Sequence, residues 1–509
     1  MCGLVCLWNI DDLPLAERMT DRIKHRGGDA LHVRRLDGIP AIMGHARLSI
    51  IGSEAADQPI RNGAAAIVAN GEVLNHDALR AAFGRDFFLT DSDCETILAA
   101  FASGHPRWIA APDGMFAFVI ATADRVMAAR DPLGIKPLYV GYKHGGLAFA
   151  SELKAYDGEG FDRVDTIAPG SLFDSETGTR QWFRMPEGAA APEADAQDHD
   201  VATISQELRA VLEAAVAKWL VADVEVGCFL SGGLDSSIVA ALAQRQLGGT
   251  LKTFAVGALG SPDLEAAAKV ARHIGSEHYE ATFTPDELAK ALPHVIRAME
   301  TTDPDTIRSG LPTYFVTRLA RAHVKTVLSG EGADELFAGY AYHHAYARTP
   351  RAMADELTRA LGAMHNINLQ RVDRVTMSRA LEARPPFLDR DLIAFAQTIP
   401  ADLKMKRTDD GVTIEKWILR KSCEDLLPAE LVWRKKAQFD EGSGTVASLD
   451  EALTIAAGRA IPDKAAERAF YEDILRGQFE EPELMLANAG TWTADRVAGA
   501  ASAGAGDAT

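Results

Sequence analysis

Apolar residues in the first part of the chain come in short β-like runs, each closed by a polar or glycine-bearing turn. The first run reaches Trp8. The turns fall at residues 25–29 (HRGGD), 44–51 (GHARLSII), 69–76 (ANGEVLNH), 91–95 (DSDCE), 113–118 (DGMFAF) and 130–139 (RDPLGIKPLY). Taken locally, these predict hairpin ends and loops of a β-rich unit. The pattern changes after residue 185. Residues 186–203 are rich in Ala, Pro, Glu and Asp without apolar periodicity and predict a linker. An amphipathic helix is predicted from Ile204 to Lys218. Strands then alternate with helices. Residues 224–230 and 251–257 and Val324 to Leu328 are apolar strand-like runs, and Ser261-Pro262-Asp263-Leu264-Glu265 has proline and acids where a helix begins. This alternation predicts a parallel sheet, whose ligands lie beyond the carboxyl ends of its strands.

One such end carries Ser231-Gly232-Gly233-Leu234-Asp235-Ser236-Ser237, between the strand at 224–230 and a helix that runs to Gly248-Gly249. A strand, a Gly-Ser turn and a helix N-terminus direct several backbone N–H groups and the positive end of a helix dipole at one point. Asp235 adds negative charge, which fits a phosphate site if Mg²⁺ bridges it to the phosphate. The segment lacks the spacing of a Walker loop. The third strand runs into Ser329-Gly330-Glu331-Gly332-Ala333-Asp334-Glu335, so Glu331 and Asp334 are expected to face the same phosphates.

The composition, 47% hydrophobic and 25% charged over 509 residues, allows two or three domains with sizeable cores. A net charge of -19 argues against nucleic acid or an anionic membrane as the main partner. There is no basic, apolar leader at the start and no run of about 20 apolar residues, so neither a signal peptide nor a membrane span is expected. Five scattered cysteines form no disulfide framework and no zinc spacing, which suits a reducing cytoplasm. One of them stands second. With Met1 removed, Cys2 carries a thiol and a free α-amine whose ordinary pKa, about 8, suits it to be the thiol's own base.

In this order, starting from Cys2, the N-terminal turns resemble the glutamine-hydrolysing domain of N-terminal-nucleophile amidotransferases. The resemblance implies an α/β/β/α sandwich over residues 2–185 with Cys2 at the end of a central strand. It implies that Arg47, with Leu48, Ser49, Ile50 and Ile51, binds the glutamine α-carboxylate side, and that Glu72 and Asp93 hold the α-amino group. Asn70 and the N–H of Gly71 would form the oxyanion hole. Gly28 departs from the proline usual after His-Arg-Gly. The loop at 231–237 resembles the pyrophosphate motif of ATP pyrophosphatases. Together with residues 303–308 (DPDTIR), 381–389 (LEARPPFLD) and 433–439 (WRKKAQF), it makes nearly the whole chain resemble glutamine-dependent asparagine synthetases.

That family joins L-aspartate to ammonia from L-glutamine through β-aspartyl-AMP, with ATP and Mg²⁺. The resemblance implies an α/β synthetase domain over 204–485 with a mostly helical C-terminal part, and the Ala/Gly-rich composition of the tail over 486–509 predicts disorder. Phe229, Leu230, Ser231, Gly232, Gly233, Leu234, Asp235, Ser236, Val256, Ser329 and Gly330 would bind ATP. Asp235 and Asp334 would hold Mg²⁺. Thr306 and Arg308 would hold aspartate or the intermediate, Glu331 would keep the incoming nitrogen nucleophilic, and Lys436 would neutralise charge on the phosphates. The relatives' habit implies a homodimer. Asp305 stands where relatives have Thr, which unsettles the acceptor: a second carboxylate beside an acidic substrate is unfavourable unless paired. Three alternatives stand beside this reading: glutamine-dependent amidation of another carboxylate, a β-lactam synthetase-like cyclase pairing Glu382 with Tyr340, Tyr342 or Tyr346, and a non-enzymatic sensor.

Overall fold

A computed structural model describes residues 2–188, 200–347, 349–408, 411–434 and 442–490. The N-terminal half is built on two six-stranded sheets, antiparallel throughout. The first runs Arg163–Thr166, Tyr139–Lys143, Gly146–Ala150, Cys2–Trp8, Ala41–Arg47, Ala30–Arg35. The second runs Arg180–Gln181, Ser171–Asp174, Val126–Arg130, Gly114–Ala121, Ala65–Val73, Ile60–Asn62.

The two-residue period of a strand explains the layering. In Cys2–Trp8, Val5 and Leu7 pack under Leu15, Ala16 and Met19 of the helix Leu13–Arg22. Leu4 and Cys6 point the other way, onto Ala66, Val68, Ala117 and Val119 of the second sheet. That sheet in turn presents Ile67, Ala69, Phe116 and Phe118 to Ile97 and Leu98 of the helix Glu95–Ala102. The result is the expected sandwich of helix, sheet, sheet and helix. A strand covered on both faces must be apolar at every position, so Cys2–Trp8 reads as a continuous run rather than an alternation.

The second half holds a five-stranded parallel sheet in the order Glu277–Phe283, Lys252–Ala258, Val226–Phe229, Thr326–Leu328, Glu382–Arg384. The chain starts in the middle, builds outward on one side and returns to the other. The crevice beside the end of Val226–Phe229 is therefore the topological switch point where ligands of such sheets bind. Helices Leu234–Gln246, Pro262–Ile274, Pro285–Met299 and Pro304–Arg321 belong to this unit, and the rest is mainly helical. The two halves share apolar cores: Val5 and Leu7 lie in one cluster with Val295, Ile307 and Leu311.

Two boundaries differ from the sequence reading. The helix expected from Ile204 begins at Val201, inside the expected linker, because the Asp200 carboxylate caps it by accepting from the N–H of Thr203 at 3.2 Å. The boundary expected at 486 falls inside the helix Pro482–Asn488, which buries Met485, and the rest of the expected tail, 491–509, lies outside the described residues. All five cysteines are free and buried. Among the described residues, no helix is long and apolar enough to cross a membrane.

Candidate active sites

Cys2 opens the central strand of the first sheet, directly across from Arg47. Arg47 is fixed by Asp57 at 2.7 Å and by the carbonyl of Gly52 at 3.0 Å. The loop that follows, Leu48 to Ile51, is pinned from both halves. Ser49 N–H donates to Asp29 at 2.7 Å, and Asp29 also takes Lys325 at 2.8 Å. Leu48 and Ile50 pack on Met377 and Ala380.

The neighbouring strand Ala65–Val73 delivers Asn70, Gly71 and Glu72 to the same place. Asn70 Oδ1 accepts from the N–H of Cys2 at 3.1 Å. Its Nδ2 is buried with no hydrogen-bond partner among the described residues. A buried donor left unpaired costs about 1–3 kcal/mol, so its presence beside Cys2 marks a place for an acceptor atom. Gly71 has to be glycine, because a Cβ there would sit 2.1 Å from the carbonyl oxygen of Met115. Asp93 accepts from the N–H of Val73 at 2.7 Å.

The electrostatics are those of a crowded acidic pocket. Burial pushes the Glu72 carboxyl up to about 8, helped by Glu382 and Asp93, against the N-terminal charge and Arg384. Asp93 is also raised, again by burial. Burial raises Glu382 too, but the N-terminal charge, Arg384 and Lys136 outweigh it and bring Glu382 down to about 2. The Cys2 thiol is raised by burial, while the N-terminal charge and the N–H of Leu48 pull it down. Such a thiol needs a nearby base to ionise. Glu382 comes from the last strand of the parallel sheet. With Arg384 it faces Glu72, 3.7 Å from the Arg384 guanidinium. Tyr340 turns elsewhere, donating to Glu335 at 2.6 Å. The Tyr–Glu contact that Tyr340 makes is thus with Glu335.

The second site lies at the switch point, in a cavity of about 530 Å³. It is lined by Phe229, Leu230, Ser231, Gly233, Leu234, Asp235, Ser236, Val256, Thr306, Arg308, Ser329, Gly330, Glu331 and Asp334. Gly232 does not line it. It has φ +74°, and a Cβ would meet the Ala267 nitrogen at 2.5 Å, so it shapes the turn against the next helix. Gly233 caps the helix Leu234–Gln246 without a side-chain bond, which leaves first-turn N–H groups for an anion. Ser231 and Ser236 hydroxyls lie 3.0 Å apart and tie the loop. Gly330 lets the neighbouring loop close on it, since a Cβ would be 2.8 Å from the Ser236 nitrogen.

Asp235 and Asp334 do converge. Both bond Lys416, at 2.5 and 2.6 Å. The two acids hold the Lys416 ammonium charged, up to about 12, against the burial that would lower it. Asp235 Oδ1 remains buried and without a hydrogen-bond partner among the described residues. An orphaned carboxylate oxygen beside a second carboxylate suits a hard cation. Among the described residues, no group of three or more potential ligands forms a ready-made metal cage. Glu331 is paired with Arg371, which also donates to Thr313 at 3.1 Å. The Thr306 hydroxyl is engaged locally, donating to the helix-capping Asp303 at 2.7 Å. Lys436 lies outside the described residues.

Lys416, Arg371 and Arg434 escaped the sequence reading as site residues. Arg434 donates to the Gly232 carbonyl at 3.1 Å and to Asp263 at 3.0 Å. Lys416 stands just before the helix Trp417–Ser422, where the helix dipole disfavours a cation. Its partners explain why it is there.

Ion pairs on one shared helix lie between the two sites. Arg26 donates from Nε to the Cys2 carbonyl at 3.0 Å and through both Nη atoms to Asp373, at 2.9 and 3.1 Å, while pairing with Glu152. Asp373 and Arg371 leave the same helix, Asn368–Met377.

Residues 1–173 match the family model described as glutamine amidotransferase domain, and residues 207–354 and 346–498 match that described as asparagine synthase. An asparagine synthetase [glutamine-hydrolyzing] of Zea mays is 37% identical over 471 residues, covering 87% of this chain and 78% of that protein. Asparagine synthetase [glutamine-hydrolyzing] 3 of Arabidopsis thaliana is 37% identical over 471 residues, covering 87% and 79%. Among solved structures, a glutamine phosphoribosylpyrophosphate amidotransferase from B. subtilis aligns at 19% identity over 55% of this chain and 65% of that one, with a TM-score of 0.33. On the family models and the plant relatives, the chain belongs to the glutamine-hydrolysing asparagine synthetases.

Proposed function

We propose that this chain makes L-asparagine from L-aspartate, taking nitrogen from L-glutamine and energy from the cleavage of ATP to AMP and pyrophosphate. The observation that carries it is a nucleophile site and a phosphate site tied together by one buried helix, Asn368–Met377.

At the first site, with Met1 removed, the α-amine takes the Cys2 thiol proton and sulfur attacks the glutamine carboxamide. Charge builds on the carbonyl oxygen, where Asn70 Nδ2 and the Gly71 N–H donate, each worth about 3 kcal/mol to such a transition state. The α-ammonium of Cys2 passes that proton to the leaving nitrogen, ammonia departs, and water then releases glutamate from the thioester and restores the Cys2 thiol. Arg47 holds the α-carboxylate of glutamine. Glu72 and Asp93 hold its α-ammonium, which supplies the positive charge their crowding lacks.

At the second site, the β-carboxylate of aspartate attacks the α-phosphorus of ATP. The loop Ser231 to Ser237 and the N-terminus of its helix retain the departing pyrophosphate. Asp235 and Asp334 would hold Mg²⁺, which would offset phosphate charge, and Lys416 and Lys436 add positive charge there. Ammonia from the first site, shielded from water by the interface, attacks the acyl-adenylate. Glu331, oriented by Arg371, takes the proton that the nitrogen loses, and AMP leaves. The free and buried cysteines suit a reducing cytoplasm, and a homodimer follows the family habit.

The test is nitrogen tracing. Glutamine labelled in its amide is supplied with Mg-ATP, L-aspartate and excess unlabelled ammonium. Label in the asparagine amide supports internal transfer. Asparagine carrying only unlabelled nitrogen, or pyrophosphate release independent of L-aspartate, contradicts the proposal.

A further inference from the structure

Asp305 is an acid beside Thr306 and Arg308, and its surroundings give it a use. It lies in the first turn of the helix Pro304–Arg321 and lines the same cavity as Thr306, Arg308, Glu331 and Lys464. Lys464, the first residue of the helix Lys464–Arg476, bonds Asp305 at 2.7 Å. Arg308 lies 3.6 Å from Asp305 and 3.7 Å from Glu467. Arg308 Nε is buried with no hydrogen-bond partner among the described residues. Glu467 is steadied by the Tyr471 hydroxyl at 2.7 Å, and Arg468 reaches Asp303 at 3.4 Å. The first turns of two helices thus face each other across the cavity and present one anion and two cations.

An α-amino acid carries an ammonium and a carboxylate on one carbon. An aspartate–lysine pair carries the same two charges in reverse. We infer that Asp305 and Lys464, backed by Arg308, form the subsite for the α-amino-acid end of the acceptor. On binding, the pair opens. Asp305 accepts from the acceptor's α-ammonium, while Lys464 and Arg308 donate to its α-carboxylate. The β-carboxylate is left as the end presented to the nucleotide. This explains how an extra acid is tolerated beside an acidic substrate: the subsite reads a zwitterion, whose ends sum to no net charge. The inference rests on the acceptor reading above and makes Asp305 and Lys464 specificity residues.

The test uses the full chain with Mg-ATP and ammonium chloride and follows pyrophosphate release. Three acceptors are compared: L-aspartate, succinate (no α-ammonium) and the α-amide of L-aspartate (no α-carboxylate). Where turnover is too slow, competition against L-aspartate supplies an inhibition constant. The expected result is that Asp305→Asn raises the KM for L-aspartate roughly tenfold or more while succinate is little affected. Lys464→Ala narrows the preference for L-aspartate over its α-amide, and Lys464→Arg retains most of it. The KM for ATP stays put in all three variants. Lys464 has a side chain 57% exposed, so its loss leaves the fold intact. Unchanged preferences in both Asp305→Asn and Lys464→Ala overturn the inference. So does a wild-type KM for L-aspartate in the double variant Asp305→Thr with Lys464→Thr, which would make the pair mere charge balance. Failure of the wild type itself to release pyrophosphate with L-aspartate instead overturns the acceptor reading.

Discussion

Arg26 donates from Nε to the carbonyl oxygen of Cys2 at 3.0 Å, and its other two nitrogens bond Asp373 of the opposite half of the molecule, one of them also pairing with Glu152 of its own half. The backbone of Cys2 is thus held by a side chain that both halves keep in place. Asp373 shares the helix Asn368–Met377 with Arg371, the partner of Glu331. Any shift of that helix is felt at both sites. Replacing Asp373 by Asn keeps the shape and removes the charge. The expected outcome is a raised ratio of glutamate formed to asparagine formed from glutamine, with synthesis from ammonium near wild type. Measuring both products in one reaction checks it, and an unchanged ratio counts against a coupling role for this helix.

Glu72 gives a pH dependence. Its carboxyl is pushed up to about 8 by burial, Glu382 and Asp93, against the N-terminal charge and Arg384. Below that pH, Glu72 is protonated in the empty site. The α-ammonium of glutamine favours the carboxylate, so binding releases a proton. Affinity therefore grows as pH rises toward about 8 and levels off above it. The KM for glutamine hydrolysis is expected to fall over that range. In Glu72→Gln it should be higher and much flatter. A wild-type KM indifferent to pH would contradict the assignment.

Lys416 gives a metal test that needs no turnover. It sits 2.5 Å from Asp235 and 2.6 Å from Asp334. Lys416→Met leaves two carboxylates facing each other with their shared cation gone, a change worth about 3–5 kcal/mol when a buried pair is broken. Unfolding midpoints should drop in the presence of a chelator. Mg²⁺ should restore the variant by more than it raises the wild type. Equal responses to Mg²⁺ in both proteins would mean that the two acids do not share a cation site.

Much of this was legible in the chain, for physical reasons that particular residues show. The strand Cys2–Trp8 is apolar at nearly every position because both its faces are covered, and period two then sorts Val5 and Leu7 from Leu4 and Cys6. The loop Ser231 to Ser237 was legible because its glycines and hydroxyls act within a few residues of one another. Lys416 was not, because Asp235 is 181 residues away and no local pattern links them. The same holds for Arg26 and Asp373, 347 residues apart. Asp305 was visible as an anomaly, but its partner Lys464 lies 159 residues on, in a helix whose polar pattern alone reads as ordinary surface. The start of the helix Val201–Trp219 was missed because Asp200 looks like linker composition until it is seen accepting from Thr203.

The most direct test is the nitrogen source used by Cys2→Ala. With Mg-ATP and L-aspartate, the account predicts that the wild type forms asparagine from either glutamine or ammonium chloride. The variant should form it from ammonium alone, at a rate near wild type, because Cys2 does not line the cavity at the end of the parallel sheet. Glutamine-dependent asparagine from Cys2→Ala would contradict the two-site account, as would loss of the ammonium reaction in a folded variant.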